Sequence, residues 1–127
     1  LKITNALYLT ALLITITVSP GGVAATLNIK NLTQKKSMTK VFAPKDPRNK
    51  AQGQSAEWVV ERANGETLMN FGRITFTNVA ATTEKKVALD VSGATAYSLQ
   101  RSATDPTIIA PGSILDSNTI QVTYTGP

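Results

Sequence analysis

An all-β fold, an antiparallel sandwich of short strands, follows from three observations on this sequence. Thr, Ser and Val are plentiful, which favours strands over helices. Short segments alternate apolar and polar residues at a period of two, with turn residues between them, as far as the C-terminus. No stretch sustains the period of an amphipathic helix. A chain of 127 residues suits one domain with a single core, and 42% apolar against 17% charged residues excludes disorder throughout. There is no internal repeat and no linker dividing two domains.

The first residues admit two readings. Leu7 to Val18 is an apolar run too short to span a bilayer but suited to the core of an export leader, and Gly21-Gly22-Val23-Ala24-Ala25 resembles a cleavage region. Ile14, Ile16 and Val18 alternate with Thr15, Thr17 and Ser19, however, which is strand period, and strand is the reading preferred. In neither case is the run a membrane anchor. Residues 1–25 are accordingly set apart from a β-sandwich domain expected over 26–127.

Further strands follow in order. Leu27 and Ile29 alternate with Thr26, Asn28 and Lys30, then Asn31 to Gln34 turns the chain into a weaker strand around Met38 to Phe42. Pro44 to Gln54 has the composition of a loop. Ser55 to Arg62 alternates cleanly, and Asn64-Gly65 signals a hairpin that returns it toward Phe71 to Val79. In that returning strand Ile74 and Phe76 share a face opposite Arg73, Thr75 and Thr77. Val87, Leu89 and Val91 form another apolar face, Ala96 to Arg101 and Ile108-Ile109 are weaker, and Ile120, Val122 and Tyr124 alternate after a turn at Asp116-Ser117-Asn118.

Composition removes several kinds of chemistry. With no Cys and no His, thiol catalysis, Ser-His-Asp triads, His-ligated metals and disulfide scaffolds are all out of reach, and no cofactor is expected. Catalysis would rest on carboxylates, amides, hydroxyls or Lys. The net charge of +5 invites a nucleic-acid reading. Seven of the 13 cationic residues, however, fall in one stretch as Lys30, Lys35, Lys36, Lys40, Lys45, Arg48 and Lys50, where Phe42 is the lone aromatic. Interleaved stacking residues are missing, so a solvated hairpin and loop explains the cluster better than a nucleic-acid surface. Asn31-Leu32-Thr33 is a glycosylation sequon, meaningful only in an exported eukaryotic protein.

Ser55-Ala56-Glu57-Trp58-Val59-Val60-Glu61-Arg62 is the most informative stretch. As a strand it puts Glu57, Val59 and Glu61 on one face and Trp58 and Val60 on the other. Carboxylates seldom line a packed sheet without a task. Four residues apart on one strand, Glu57 and Glu61 have Cα atoms about 13 Å from each other. That is too far for a glycosidase pair, whose carboxyls stand roughly 5 to 9.5 Å apart, and too far to share a proton as an aspartic dyad. A catalytic Glu here needs a partner from another strand.

The motif Ala56-Glu57-Trp58-Val59-Val60-Glu61, the segment Asn70-Phe71-Gly72 and the upstream Ala25-Thr26-Leu27-Asn28-Ile29-Lys30-Asn31-Leu32-Thr33 together resemble the glutamic peptidase (eqolisin) family. The resemblance runs from about Ala25 to Thr125 and implies a concanavalin A-like sandwich, secretion, and hydrolysis of polypeptide substrates in acid. It casts Glu61 as the general base that activates water, beside a Gln amide that holds the water and steadies the oxyanion. Glu57 would orient the site or touch substrate, and Phe71 and Gly72 would shape the cleft edge. The family's Gln sits well upstream of the Glu, after a Trp-bearing segment and a Gly-Ile-Asp-Gly-like turn. Only Gln34, Gln52 and Gln54 precede Glu61 here, and the role is not carried to them. The chain therefore reads as the C-terminal portion of such an enzyme, an incomplete sandwich inactive as it stands.

Each residue also has a plainer reading. Glu61 could be a solvated surface carboxylate balanced by Arg62 and Arg73. Trp58 fits a core position, and Gly72 fits a strand entry that relieves a close backbone approach. A non-catalytic β-sandwich module binding carbohydrate or protein is the rival function, because the fold class hosts many such modules.

Overall fold

The computed structural model describes residues 11–62 and 67–126. The chain forms two compact units, Leu1–Gln54 and Ser55–Pro127. Both are built from antiparallel strands, ten among the described residues, and the only helical pieces there are 3-10 turns at Pro20–Gly22 and Pro47–Asn49. No described helix is long and apolar enough to cross a membrane.

The first unit is a three-stranded meander. Strand β1 (Leu12–Val18) pairs with β2 (Ala25–Asn31), which pairs with β3 (Lys36–Phe42). Of the two readings of the apolar run, residues 12–18 are a strand in the structure; residues 7–10 lie outside the described part. A tight turn joins β1 to β2. Ser19 donates its N–H to the Ala24 carbonyl at 2.9 Å, and its hydroxyl accepts from the Ala24 N–H at 3.0 Å. Gly22 sits in that turn at φ +71°, where a Cβ would overlap the Ala51 carbonyl, while its own carbonyl accepts from the Ala51 N–H at 3.0 Å. Glycine is therefore required there twice over, by dihedral and by space.

Register sorts the side chains of this sheet. Leu12, Ile14, Ile16 and Val18 stand opposite Asn31, Ile29, Leu27 and Ala25, and those in turn face Lys36, Met38, Lys40 and Phe42. Directly paired residues share a sheet face, so one face is mainly apolar, interrupted by Asn31, Lys36 and Lys40, and the other carries Thr15, Thr17, Thr26, Asn28 and Thr39 beside Leu13 and Val41. The apolar face is exposed: Ile16 retains 66% and Phe42 51% of its accessible surface.

The second unit contains β4 (Arg73–Phe76), β5 (Ala81–Thr82), β6 (Ala88–Leu89), β7 (Leu99–Gln100), β8 (Ile108–Ala110), β9 (Gly112–Asp116) and β10 (Thr119–Thr123). Strand β10 lies between β4 and β9, while β5 with β6 and β7 with β8 make two small ladders. Ile120 pairs with both Phe76 and Ile114, so the alternation of Ile74 and Phe76 meets that of Ile120 and Val122 on one face. Leu68, Ile109 and Ala110 form the buried cluster, with Phe71, Leu99, Val122 and Tyr124 packed around it. The rings of Phe71 and Tyr124 meet edge to face at 5.9 Å, a favourable aromatic arrangement. Val79 and Val91 are also buried, and both donate backbone N–H groups to the β9–β10 turn, to Asn118 and Ser117 carbonyls at 2.9 Å each.

One element differs from the sequence reading. Residues 51–62 form no strand, so Ser55 to Arg62 is not the ladder member that its alternation suggests. The returning strand β4 takes its partner from the C-terminus, Thr123 to Ile120, instead of from the acidic segment. The Asn64-Gly65 hairpin signal falls outside the described residues. Alternation survives nonetheless as burial: Glu57, Val59 and Glu61 are exposed while Trp58, Val60 and Arg62 are half-buried. A period of two thus reports which side chains turn inward without requiring a hydrogen-bonded neighbour.

Two outcomes follow from this packing. Ile109→Ala removes the centre of the buried cluster and is expected to cost about 2–5 kcal/mol, read as a lowered midpoint in urea unfolding at unchanged slope. The exposed, mainly apolar face of the first sheet, with edges unpaired among the described strands, should also drive the 127-residue chain to self-associate. Size-exclusion with light scattering should show species above the monomer, and Ile16→Glu should shift them back; a monodisperse wild-type monomer would contradict this.

Candidate functional site

Glu61 projects from the unladdered segment between half-buried Val60 and Arg62 and is itself exposed. Among the described residues no hydrogen bond or ion pair engages its carboxylate, and the expected charge balance by Arg62 or Arg73 is not formed. Glu57 is exposed too, but it accepts a hydrogen bond from the Ser55 hydroxyl at 3.1 Å. The two carboxylates of the motif therefore differ in kind. One is anchored by a neighbour, and the other is open to water and to any incoming group. Trp58 is half-buried instead of sitting in the core.

The glutamines are engaged elsewhere or lie exposed on other elements. Gln54 donates to the Gln52 side chain at 3.3 Å, and Gln121 on β10 donates to the Thr75 hydroxyl at 3.4 Å across the ladder to β4. Gln34 and Gln100 are exposed. None of them is hydrogen-bonded to Glu61 among the described residues.

Phe71 and Gly72 hold structural positions. Asn70 Oδ1 accepts the Gly72 N–H at 2.9 Å, and the Gly72 carbonyl accepts the Tyr124 N–H at 2.8 Å, which ties the entry of β4 to the chain leaving β10. Gly72 has φ +66°, and a Cβ there would meet nothing within 4 Å. Its requirement is thus the left-handed dihedral and not the close backbone approach of the plainer sequence reading. Phe71 is half-buried against Tyr124 and the Leu68 cluster.

A repeated device shapes the loops of both units, and sequence reasoning missed most of it. In five places an Asp or Asn side chain accepts the N–H two residues on: Asp46 from Arg48, Asn70 from Gly72, Asp90 from Ser92, Asp105 from Thr107 and Asp116 from Asn118. These are Asx turns, and the signal was present as Asp or Asn at the mouth of each turn. Three of the carboxyls are held below the usual aspartate range. For Asp46 the main cause is the Arg48 side chain, 2.6 Å away, for Asp90 the Ser92 hydroxyl, and for Asp105 the Thr107 hydroxyl with Arg101 adding to it.

The cationic stretch is solvent-facing throughout: Lys30, Lys35, Lys36, Lys40, Lys45, Arg48 and Lys50 are all exposed on the β2–β3 hairpin and the loop after it. Among the described residues no three acidic side chains gather as metal ligands.

The peptidase A4 family model matches residues 12–124. The crystal structure of aspergilloglutamic peptidase from Aspergillus niger is similar in fold, with a TM-score of 0.78 at 24% identity, over 98% of this chain and 70% of that one. The expected all-β class, a fold similar to that enzyme's β-sandwich, is therefore the one observed. No curated protein sequence matches the chain.

The depressed carboxyls carry a pH dependence with a definite sign. A folded-state value below the unfolded one adds stability that is complete above the ordinary aspartate range and is lost as pH falls through the lowered value. Carboxyl NMR titration should place Asp46, Asp90 and Asp105 below ordinary aspartates. The stability difference between wild type and Asp105→Asn should be present near neutrality and vanish once pH lies below all of these values.

Proposed function

The chain belongs to the peptidase A4 family, and from that membership we propose that it works as a glutamic-type acid endopeptidase chain with Glu61 as general base. The substrate is a polypeptide, and the setting is an acidic compartment outside the cell. What carries the reading is the accessibility of Glu61: the last carboxylate of the family-like motif is exposed and without a competing partner among the described residues.

The chemistry asks little more of that residue. An ionised Glu61 takes a proton from a water molecule as the water attacks the scissile carbonyl, and then returns it to the leaving amine. Charge developing on the carbonyl oxygen needs a donor, which an amide side chain supplies. Glu57, fixed by Ser55, orients the segment or touches substrate. Phe71 and Gly72 act indirectly, by setting where β4 begins.

No glutamine among the described residues is bonded to Glu61, so turnover by these 127 residues alone should be slow or absent. The rival reading, a non-catalytic binding module, draws support from the same lack of an amide partner.

The decisive assay is digestion of an unfolded protein substrate across acid pH. It should be run on the 127-residue chain and, beside it, on the protein as its gene encodes it. In the latter, Glu61→Gln should lower the rate by at least about a hundredfold, the scale of a lost general base. Glu57→Gln should leave most of it. Equal rates for wild type and Glu61→Gln would remove Glu61 from catalysis. Absence of hydrolysis by the gene-encoded protein at every pH would favour the binding module.

A further inference from the structure

The turn between β2 and β3 carries a chemical motif that peptide hydrolysis does not use. Asn31 ends β2, paired with Leu12 on one side and Lys36 on the other, and Leu32 to Lys35 make the turn. Its Oδ1 accepts the Gln34 N–H at 2.8 Å. That bond fixes the carboxamide through its oxygen, and among the described residues no acceptor takes its Nδ2. Two residues on, the Thr33 hydroxyl oxygen accepts the Ala11 N–H at 3.1 Å, which leaves the hydroxyl hydrogen available to donate. Leu32, Thr33 and Gln34 are exposed and Asn31 is half-exposed, so an added group displaces no buried side chain. Asn31-Leu32-Thr33 is also the one Asn-x-Ser/Thr triplet with a non-Pro centre in the sequence.

We propose that Asn31 is an N-glycosylation acceptor. The co-reactant is a lipid-linked oligosaccharide diphosphate, met through a glycosyltransferase of the export route. Nδ2 forms a bond to the anomeric carbon and loses one proton, while the sugar–phosphate bond breaks and the lipid diphosphate leaves. This rests on the export reading made above. It also adds something that reading lacks, a single attachment point at the tip of the first sheet, away from the Glu57–Glu61 segment in sequence.

The test supplies its own export signal, so that it reports acceptor competence whether or not the natural protein is secreted. The 127-residue chain is expressed in yeast behind a cleavable secretion leader. Secreted and microsomal fractions are both analysed by intact mass before and after peptide N-glycosidase. The expected result is one glycan per chain, removed by the enzyme with conversion of Asn31 to Asp, absent in Asn31→Gln and Thr33→Ala, and kept in Thr33→Ser. Microsomal or secreted wild type with no enzyme-sensitive mass would overturn the proposal, as would a glycan that persists in Asn31→Gln.

Discussion

The second unit depends on β10. Among that unit's described strands it alone has ladder partners on both edges, taking β9 through a short turn and β4 from more than forty residues earlier in the chain. The local pairing is entropically cheap, whereas the distant one closes a long loop and needs buried contacts to hold it. Those contacts are present. Val122 and Tyr124 pack on the Leu68–Ile109–Ala110 cluster, Tyr124 bonds the Gly72 carbonyl, and the turn before β10 receives the N–H groups of buried Val79 and Val91. Residues 117–124, β10 with its preceding turn and the residue after it, thus hold β4, the Phe71–Tyr124 contact and the backbone N–H groups of both buried valines together.

The acidic segment stands outside that ladder: β4 takes β10 on one edge and no strand on the other among the described residues, and residues 55–62 keep only the inward and outward alternation of a strand. The consequence is chemical. An exposed carboxylate without a fixed partner stays hydrated and accessible, whereas one locked in a sheet-face ion pair would have its lone pairs taken. Glu57, bonded to Ser55, and Glu61, bonded to none of the described residues, show both conditions four positions apart. Elsewhere in both units, Asx turns hold the loops with side-chain carboxylates and amides.

Much of the fold was legible because strand periodicity and turn chemistry are local. Ile14, Ile16 and Val18 alternating with threonines mark β1, Leu27 and Ile29 mark β2, and Ile120 and Val122 mark β10, each within a residue or two of its observed span. The Asp116-Ser117-Asn118 turn is where its residues place it, with Asp116 accepting the Asn118 N–H. Trp58 was read as core because of its size, yet it is half-buried, and Gly72 was read either as shaping the cleft edge or as relieving a close backbone approach, whereas its φ of +66° with open space around it answers to a dihedral. In both cases the residue type limits the options without selecting among them.

What the sequence determined by itself was the class and the chemistry on offer: all-β strands, no thiol or imidazole, and a carboxylate-bearing motif at Glu57 to Glu61. Side-chain alternation, turn formers and the absence of a residue type are properties of neighbouring positions, readable without knowing what lies across the fold. Only the tertiary structure decided that β4 pairs with β10, that the acidic segment pairs with no strand among the described residues, and that Val79 and Val91 are tied to one turn. Partner choice is a competition among distant segments for the same backbone donors and acceptors. Its outcome depends on buried area summed over the whole unit, which no single stretch of sequence contains.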